Sequence, residues 1–223
     1  MTEPKDMNAD IIKALAAEAP KSGSNEYKTG PVVKLNNGMA FAVASFGLQI
    51  YGDAKAQELT TIALAAGFRN FFASVLARNQ KGFGAAIRAT HIPRSEIFVC
   101  GSVNTGGCRG SANCKAETAA GCRDNLRELG TAVGVLDMIM LDYPAHDCDG
   151  IKGQWAAFED MLKSGKTKSL AVSNFSPAQL DCIVKCVCFL WCCISIHDAA
   201  VVTIDQSMWL PDSGPALLTY PQR

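Results

Sequence analysis

An α/β fold built on a parallel sheet is the fold class that this sequence predicts, and three observations predict it. Short apolar runs alternate with helical segments of about 10–15 residues, which is the pattern of repeated βαβ units. The apolar runs are nearly continuous, as expected of strands that are buried on both faces. Neither G-x-G-x-x-G nor G-x-x-x-x-G-K-[ST] occurs, so a (β/α) barrel is favoured over an open nucleotide-binding sheet.

The elements follow one another in a regular order. "VVKLNNGMAFAV" places apolar segments on both sides of Asn36–Asn37–Gly38, a strong signal for an N-terminal β-hairpin. Strands are predicted near 45–50, 68–72, 96–102, 135–142 and 167–172, with a sixth at "AAVVTIDQ" if the pattern resumes there. The helices are predicted in "AKAQELTTIALAAG", "QKGFGAAIRATHI", "KAETAAGCRDNLRELG", "GQWAAFEDMLKSG" and "SPAQLDCIVK". Ser176 and Pro177 have the order expected of an N-cap and a first helical residue.

Length and charge restrict the function. The chain has 223 residues, of which 48% are hydrophobic, so one domain with a sizeable core is expected. Lys+Arg and Asp+Glu both number 21, and this balance argues against a nucleic-acid partner. The sequence contains no run of about 18 apolar residues, so no membrane span is expected. Small molecules or proteins are therefore the expected partners.

The first 30 residues differ in composition from the rest. "NADIIKALAAEA" predicts a short helix capped by Asn8 or Asp10, and "PKSGSNEYKTG" reads as a linker. The segment has no apolar signal core, so a cytoplasmic protein is expected. We predict a mobile tail over residues 1–30 and one domain over residues 31–223.

Ten cysteines are a high number, and without an export signal they are expected to be reduced thiols. Cys108 and Cys114 lie on a long loop, "NTGGCRGSANC", where they form a redox pair, gate a pocket or simply belong to an exposed loop. A later cluster invites a metal interpretation; it comprises Cys182, Cys186, Cys188, Cys192, Cys193 and His197. Its apolar setting and its adjacent cysteines favour a buried insert instead, and no metal is predicted.

Six motifs occur together, in order, between Val32 and Lys185: "VKLNNG", "ALAAGFRNF", "IPRSEIFV", "NLRELG", "LDMIMLDYP" and "LKSGKTKSLAVSNFSPAQL". In these motifs the chain resembles the aldo-keto reductase family. The resemblance implies a (β/α)8 TIM-type barrel with an N-terminal hairpin and NADPH at the C-terminal mouth. It also implies a small carbonyl compound as substrate. Residues 186–223 diverge, so we expect an incomplete barrel of about five to six βα units.

The family reduces carbonyls with an Asp–Tyr–Lys–His set, in which Tyr donates a proton and Lys depresses its pKa. By resemblance, those four positions fall on Phe72, Ala77, Ser102 and Asp142. Asp142 stands where the family has its His, just before Tyr143 and Pro144. Since all four groups are substituted, no catalytic residue is assigned.

The cofactor site implied by the resemblance is half present. Ser173 and Asn174 match the pair that binds the nicotinamide carboxamide, although they equally suit a cap for the next helix. Gln206 matches the amide on strand 6 if the register resumes there. No late Lys–Ser or Arg pair is found for the 2′-phosphate, so weak or absent NADPH binding is expected.

Two functions therefore stay open. One is an NADPH-dependent carbonyl reductase that uses a replacement acid, Tyr51 or Asp142. The other is a pseudoenzyme that binds a small ligand or a protein, and the four substitutions favour it. A barrel of six strands leaves open edges, which also favours a protein partner or self-association.

Overall fold

The computed structural model describes residues 32–35 and 37–184, together with the backbone of residues 202–204 and 218–219. The strands are β1 (Val32–Lys34), β2 (Ala40–Ala42), β3 (Phe46–Gly47), β4 (Asn70–Phe72), β5 (Phe98–Val103), β6 (Met138–Asp142), β7 (Leu170–Ser173), β8 (Val202–Ile204) and β9 (Leu218–Thr219). The helices are α1 (Asp53–Ala65), α2 (Gln80–Ala89), α3 (Ser111–Leu129), α4 (Cys148–Lys163) and α5 (Pro177–Val184).

The main sheet has the strand order β3-β4-β5-β6-β7-β8-β9. Its first six strands are parallel, and β9 pairs antiparallel with β8. A helix follows each strand from β3 to β7, which makes five βα units and a further strand. The predicted α/β fold of about five to six βα units is confirmed, and so is the sixth strand. The strand predicted at 45–50 is much shorter, since only Phe46–Gly47 pairs.

The two faces of this sheet bury different partners. Because side chains alternate along a strand, Ile139 and Leu141 of β6 point towards the helices, where they join the larger apolar core. Met138 and Met140 point to the other face and pack with the hairpin residues Leu35 and Phe41. We call this second face the inner face.

The predicted hairpin is present and covers one end of the inner face. Asn70 Nδ2, at the start of β4, donates to the carbonyl of Ala42 at 2.7 Å. Asn37 Nδ2 in the turn donates to the carbonyl of Lys168 at 3.1 Å, just before β7. Both bonds lie at the amino ends of the parallel strands. The hairpin therefore leaves the carboxyl ends of the strands free for a site.

Two helices begin earlier than the sequence predicts. Helix α3 starts at Ser111, because Gly110 has a φ of 74° that only glycine adopts easily and that redirects the chain there. Helix α4 starts at Cys148, because the Asp147 carboxylate caps it by accepting from the Gly150 amide at 2.8 Å. The expected cap of α5 is confirmed, because the backbone N–H of Gln179 donates to Ser176 Oγ at 3.3 Å.

Helix α2 can approach its neighbours closely because it carries two glycines. A Cβ on Gly82 would lie 1.9 Å from the carbonyl oxygen of Asp53, at the start of α1. A Cβ on Gly84 would lie 2.1 Å from the carbonyl oxygen of Leu129, at the end of α3. No other residue type fits these two positions without moving a helix, so the spacing of three helices depends on them.

The expectation of reduced thiols is wrong for four of the cysteines. Disulfides join Cys108 to Cys114 and Cys148 to Cys182, with Cα–Cα distances of 5.1 and 5.2 Å. Cys108 and Cys114 are both buried, although Gly107, Arg109 and Gly110 beside them are exposed. Cys122 is a buried free thiol, and burial raises its pKa to about 12. Disulfides are typical of oxidising compartments, so the cytoplasmic location stays a prediction.

Several expectations concern residues outside the described ranges. These are the tail over residues 1–30, Gln206, and the late cluster except for Cys182. Among the described residues, no group of three or more His, Cys, Asp or Glu side chains is arranged to hold a metal ion. None of the described helices is long and apolar enough to cross a membrane.

Asp137, immediately before β6, joins that strand to its neighbours. Its carboxylate accepts from the Val99 amide of β5 at 3.0 Å and forms ion pairs with Arg94 at 2.9 Å and Lys168 at 2.7 Å. Its carbonyl accepts from Ser169 Oγ at 2.6 Å, just before β7. Asp137 is only 6% exposed, whereas the Lys168 side chain is half exposed, so the bonds to the backbone and to Arg94 are the more shielded ones.

We expect Asp137→Asn to lower the free energy of unfolding by about 2 kcal/mol, because it leaves a half-buried Arg94 without its counter-charge. Urea unfolding monitored by circular dichroism measures this loss. Asp124→Asn is the matched control, since Asp124 pairs with Arg127 on an exposed surface. Equal unfolding midpoints for the two variants would show that Asp137 does not stabilise the sheet.

We expect Cys182→Ser to lower the free energy of unfolding by about 2–4 kcal/mol under non-reducing conditions, because the lost crosslink closes a long loop. In a strong thiol reductant, the variant and the unmodified chain should unfold at nearly the same urea concentration. If the variant and the unmodified chain differed in stability by the same amount with and without reductant, the result would contradict the Cys148–Cys182 disulfide.

Candidate functional site

Polar side chains meet where the inner face reaches the carboxyl ends of its strands. By strand alternation, Ser102, Asp142 and Ser173 lie on the same face as Cys100, Met140 and Ala171. Asp142 of β6 is directly opposite Ser173 of β7, and Ser102 of β5 is opposite Met140 of β6. The structure thus brings together three residues that the sequence analysis selected.

The other selected residues lie on the neighbouring segments. Phe72 ends β4 and packs partly against the inner core. Ala77 lies in the loop after β4, where its amide donates to Ser74 Oγ at 3.4 Å. Tyr51 lies in the loop after β3 and is exposed. The side chains at these three positions form no hydrogen bond or ion pair with Asp142, whose described partners are Asn174 and Ser173.

Asp142 is the buried centre of the site. It is only 3% exposed, and its Oδ1 accepts from Asn174 Nδ2 at 2.8 Å. The Ser173 side chain also hydrogen-bonds this carboxylate. Burial raises the pKa of Asp142 above its ordinary value, while the hydrogen bonds from Asn174 and Ser173 act to lower it.

The backbone beside Asp142 has an unusual conformation at two places. Asn174, after β7, has a φ of 62°, and Tyr143, after β6, has a φ of 67°. Asn adopts this left-handed region more readily than most residues, because its short side chain bonds locally. Here the Asn174 amide bonds Asp142 and also Ser173 Oγ, the latter at 3.1 Å. The left-handed turn therefore aims Asn174 back at the end of β6.

Ser102 has a structural role in the site. It is fully buried, and its Oγ accepts from the Val75 amide at 3.0 Å. Its carbonyl accepts from Asn125 Nδ2 of α3 at 2.9 Å. The Ser102 hydroxyl thus fixes the loop that follows β4, and it supplies no cation to the site.

Two polar groups that the sequence analysis missed hold the loops around the site. Asn79 is fully buried; its Oδ1 accepts from the Ser74 amide at 2.9 Å, and its Nδ2 donates to the Tyr51 carbonyl at 2.9 Å and to the Leu48 carbonyl. It therefore joins the loops after β3 and β4. Its only sequence signal is its place before a helix, which suggests a cap rather than a loop tie.

The second missed group is a chain of hydrogen bonds between the loops after β5 and β6. Gln154 Oε1 accepts from the Ala145 amide at 2.9 Å, and Gln154 Nε2 donates to Thr105 Oγ1 at 3.0 Å. Thr105 and Thr118 share a further hydrogen bond of 2.7 Å. These contacts hold the loop that leaves Asp142.

Large apolar side chains are exposed on the loops that follow these strands. We call them the apolar rim, which comprises Ile50, Tyr51, Leu76 and Tyr143. Ile50 is 81% exposed and Leu76 is 56% exposed. Their loops follow β3, β4 and β6, so the rim lies at the same end of the sheet as Asp142.

A parallel sheet of βα units, an N-terminal hairpin and polar side chains at the strands' carboxyl ends define a protein of the (β/α)-barrel class. The Aldo/keto reductase family model matches residues 40–203, so the chain belongs to the aldo-keto reductase family. The predicted resemblance is confirmed.

Individual relatives agree with this membership. The chain is 28% identical to an aldo-keto reductase of Mycolicibacterium smegmatis over 159 residues, which cover 71% of this chain and 54% of that protein. It is 28% identical to the glyoxal reductase of Bacillus subtilis over 156 residues, covering 69% of this chain and 52% of that protein. The chain spans about half the length of these relatives.

A solved structure confirms the type of fold. An aldo/keto reductase from Brucella melitensis superposes with a TM-score of 0.63 at 28% sequence identity. The match covers 70% of this chain and 58% of that one. The chain is therefore an incomplete (β/α)8 barrel of the TIM type over the region that it shares with this structure.

We expect Asp142→Asn to stabilise the chain at neutral pH but not in acid. Because burial raises the folded-state pKa, the folded chain holds this proton more tightly than the unfolded chain does. Stability from this group is thus fully present below its unfolded pKa and is lost as the pH rises through its folded pKa. The gain from Asp142→Asn should grow over that window, in urea unfolding measured from about pH 3 to pH 7. A gain that shrinks with rising pH would contradict the buried position of Asp142.

Proposed function

We propose that this chain does not reduce carbonyl compounds and that it uses the barrel scaffold to bind a ligand at the carboxyl ends of its strands. One observation carries the proposal: Asp142 Oδ1 accepts a hydrogen bond of 2.8 Å from Asn174 Nδ2. By the resemblance, Asp142 stands where the family has its His. By the family resemblance, the Asn174 amide would instead bind the carboxamide of the nicotinamide. The substitution therefore affects both the catalytic and the cofactor half of the site.

Three of the four catalytic positions supply no group for proton delivery, and the fourth holds Asp142. Phe72 and Ala77 carry no acid, and the Ser102 hydroxyl is buried in a structural hydrogen bond with Val75. An ionised Asp142 would repel the negative charge that develops on a carbonyl oxygen during reduction. A positioned acid contributes roughly 10²–10⁴-fold to such a rate, and preorganised donors add a comparable factor.

The described residues do not fit a nicotinamide in this arrangement. Asn174 Nδ2 already donates to Asp142 Oδ1 and to Ser173 Oγ, so both of its amide hydrogens are used within the protein. Ser173 is buried beside them and hydrogen-bonds Asp142. A carboxamide could gain these donors only by displacing a buried carboxylate from them, which supports weak or absent NADPH binding.

A second candidate function rests on the same residue. Because burial raises the pKa of Asp142, its protonated form is more accessible than that of an ordinary carboxyl group, and a protonated carboxyl is a hydrogen-bond donor. Asp142, or the exposed Tyr51, would then act as the replacement acid of a carbonyl reductase. Relatives named glyoxal reductase and 2,5-diketo-D-gluconic acid reductase B indicate small carbonyl compounds as the substrate class.

The first test is cofactor binding. We expect NADPH fluorescence to show no saturation with the unmodified chain up to about millimolar concentration. Asp142→Ala frees the Asn174 amide, so the initial slope of the titration should rise by about fivefold, the value of one hydrogen bond. The double variant Asp142→Ala/Asn174→Ala should not show this increase in slope. Asp124→Ala is the control, because it removes a carboxylate from an exposed surface. Saturable micromolar binding to the unmodified chain would refute the proposal.

The second test is turnover. We expect no NADPH-dependent reduction of glyoxal or simple aldehydes above the rate without protein, followed as the loss of NADPH absorbance. Turnover by the unmodified chain that Asp142→Asn or Tyr51→Phe abolishes would establish the second candidate function instead.

A further inference from the structure

Two buried aspartates at opposite ends of β6 differ in their surroundings. Asp137, at the amino end, has ion pairs with Arg94 at 2.9 Å and Lys168 at 2.7 Å. Asp142, at the carboxyl end, has the neutral groups of Asn174 and Ser173 as its hydrogen-bond partners in the described part of the chain. No Lys, Arg or His side chain in the described part of the chain forms an ion pair with Asp142.

Asp142 therefore has hydrogen-bond donors but no compensating cation among the described residues. A carboxylate has about four lone-pair sites for donors, and the described donors fill two of them. Burying a carboxylate is costly unless a cation compensates it, as at Asp137. The raised pKa of Asp142 has the same cause, because burial without a cation disfavours the ionised form.

Asp142 lies at the end of the inner face that the hairpin does not cover. The hairpin residues Leu35 and Phe41 pack against the inner core and cover the other end. At the open end, the apolar rim presents Ile50, Leu76 and the phenol rings of Tyr51 and Tyr143. A buried negative charge below an exposed apolar and aromatic rim fits a molecule that carries one positive charge and a hydrocarbon part.

We propose that the carboxyl end of the inner face binds an organic ammonium ion, whose charged group pairs with Asp142 and whose hydrocarbon chain contacts the apolar rim. An ammonium group brings three donors, and a charge-assisted bond to a carboxylate is stronger than a neutral one. This inference names the ligand class of the proposed function and rests on it.

The test compares three probes of equal chain length: n-hexylammonium, n-hexanol and n-hexanoate. Each is added to the full chain, without NADPH, and the melting temperature is measured by scanning calorimetry. We expect n-hexylammonium to raise the melting temperature of the unmodified chain and of Asp124→Asn, which removes a surface charge. The other two probes should have no comparable effect. Isothermal titration should show at least tenfold weaker binding of n-hexylammonium to Asp142→Asn.

Three results would overturn the inference: no effect of n-hexylammonium, an equal effect of n-hexanol, or an unchanged effect in Asp142→Asn. If Asp142→Asn does not fold, the comparison of the three probes on the unmodified chain decides alone. These results are independent of the proposed lack of reduction, because no cofactor is present. A protein that binds n-hexylammonium yet reduces aldehydes would refute the proposed function but not the amine site.

Discussion

Asp137 joins β6 to both neighbouring strands, through its carboxylate to Val99 and through its carbonyl to Ser169. The side-chain period of a strand is two, so a slip of one residue would turn Asp142 from the inner face to the helices. Its apolar neighbours Ile139 and Leu141 would then leave the larger core. The position of Asp142 opposite Ser173 therefore depends on a contact at the other end of the strand.

The same strand also shows how the packing of the fold is separated from the polar group at the strand's carboxyl end. The apolar residues of β6 pack into a core on each face of the sheet. This packing does not involve the side chain of Asp142 at the carboxyl end of the strand. An aspartate there costs stability by burial, but its bonds to Asn174 and Ser173 reduce that cost. The scaffold can thus persist while the chemistry of its open end changes.

Much of the fold was predictable because its signals are local. The Asn36–Asn37–Gly38 turn, the apolar runs and the Ser176–Pro177 cap each depend on a few adjacent residues. The resemblance also predicted that Ser102, Asp142 and Ser173 meet, because the carboxyl ends of parallel strands lie at one edge of a sheet. The early starts of α3 and α4 were missed, since "SANC" and "CDG" give weak helix signals. The turn at Gly110 and the Asp147 cap set the starts of these helices.

The site contacts that were missed depend on distant pairs. Asn79 bonds backbone groups 28 and 31 positions away, and Gln154 bonds a threonine 49 positions away. The hydrophobic pattern of the sequence does not predict such a bond, because the position of each partner depends on how the loops fold over the sheet. The disulfides were missed for a related reason: which cysteines pair depends on their spatial separation, and the reduced state was inferred from composition alone.

The Cys148–Cys182 disulfide has a consequence for the integrity of the site. The two cysteines are 34 positions apart, and the segment between them contains α4, all of β7, and the turn with Ser173 and Asn174. These elements form a covalent ring. A protease that cuts one exposed bond in this ring, such as the turn around Gly165, would leave both fragments attached to each other. The strand that supplies the donors to Asp142 would therefore stay with the chain after a single cleavage.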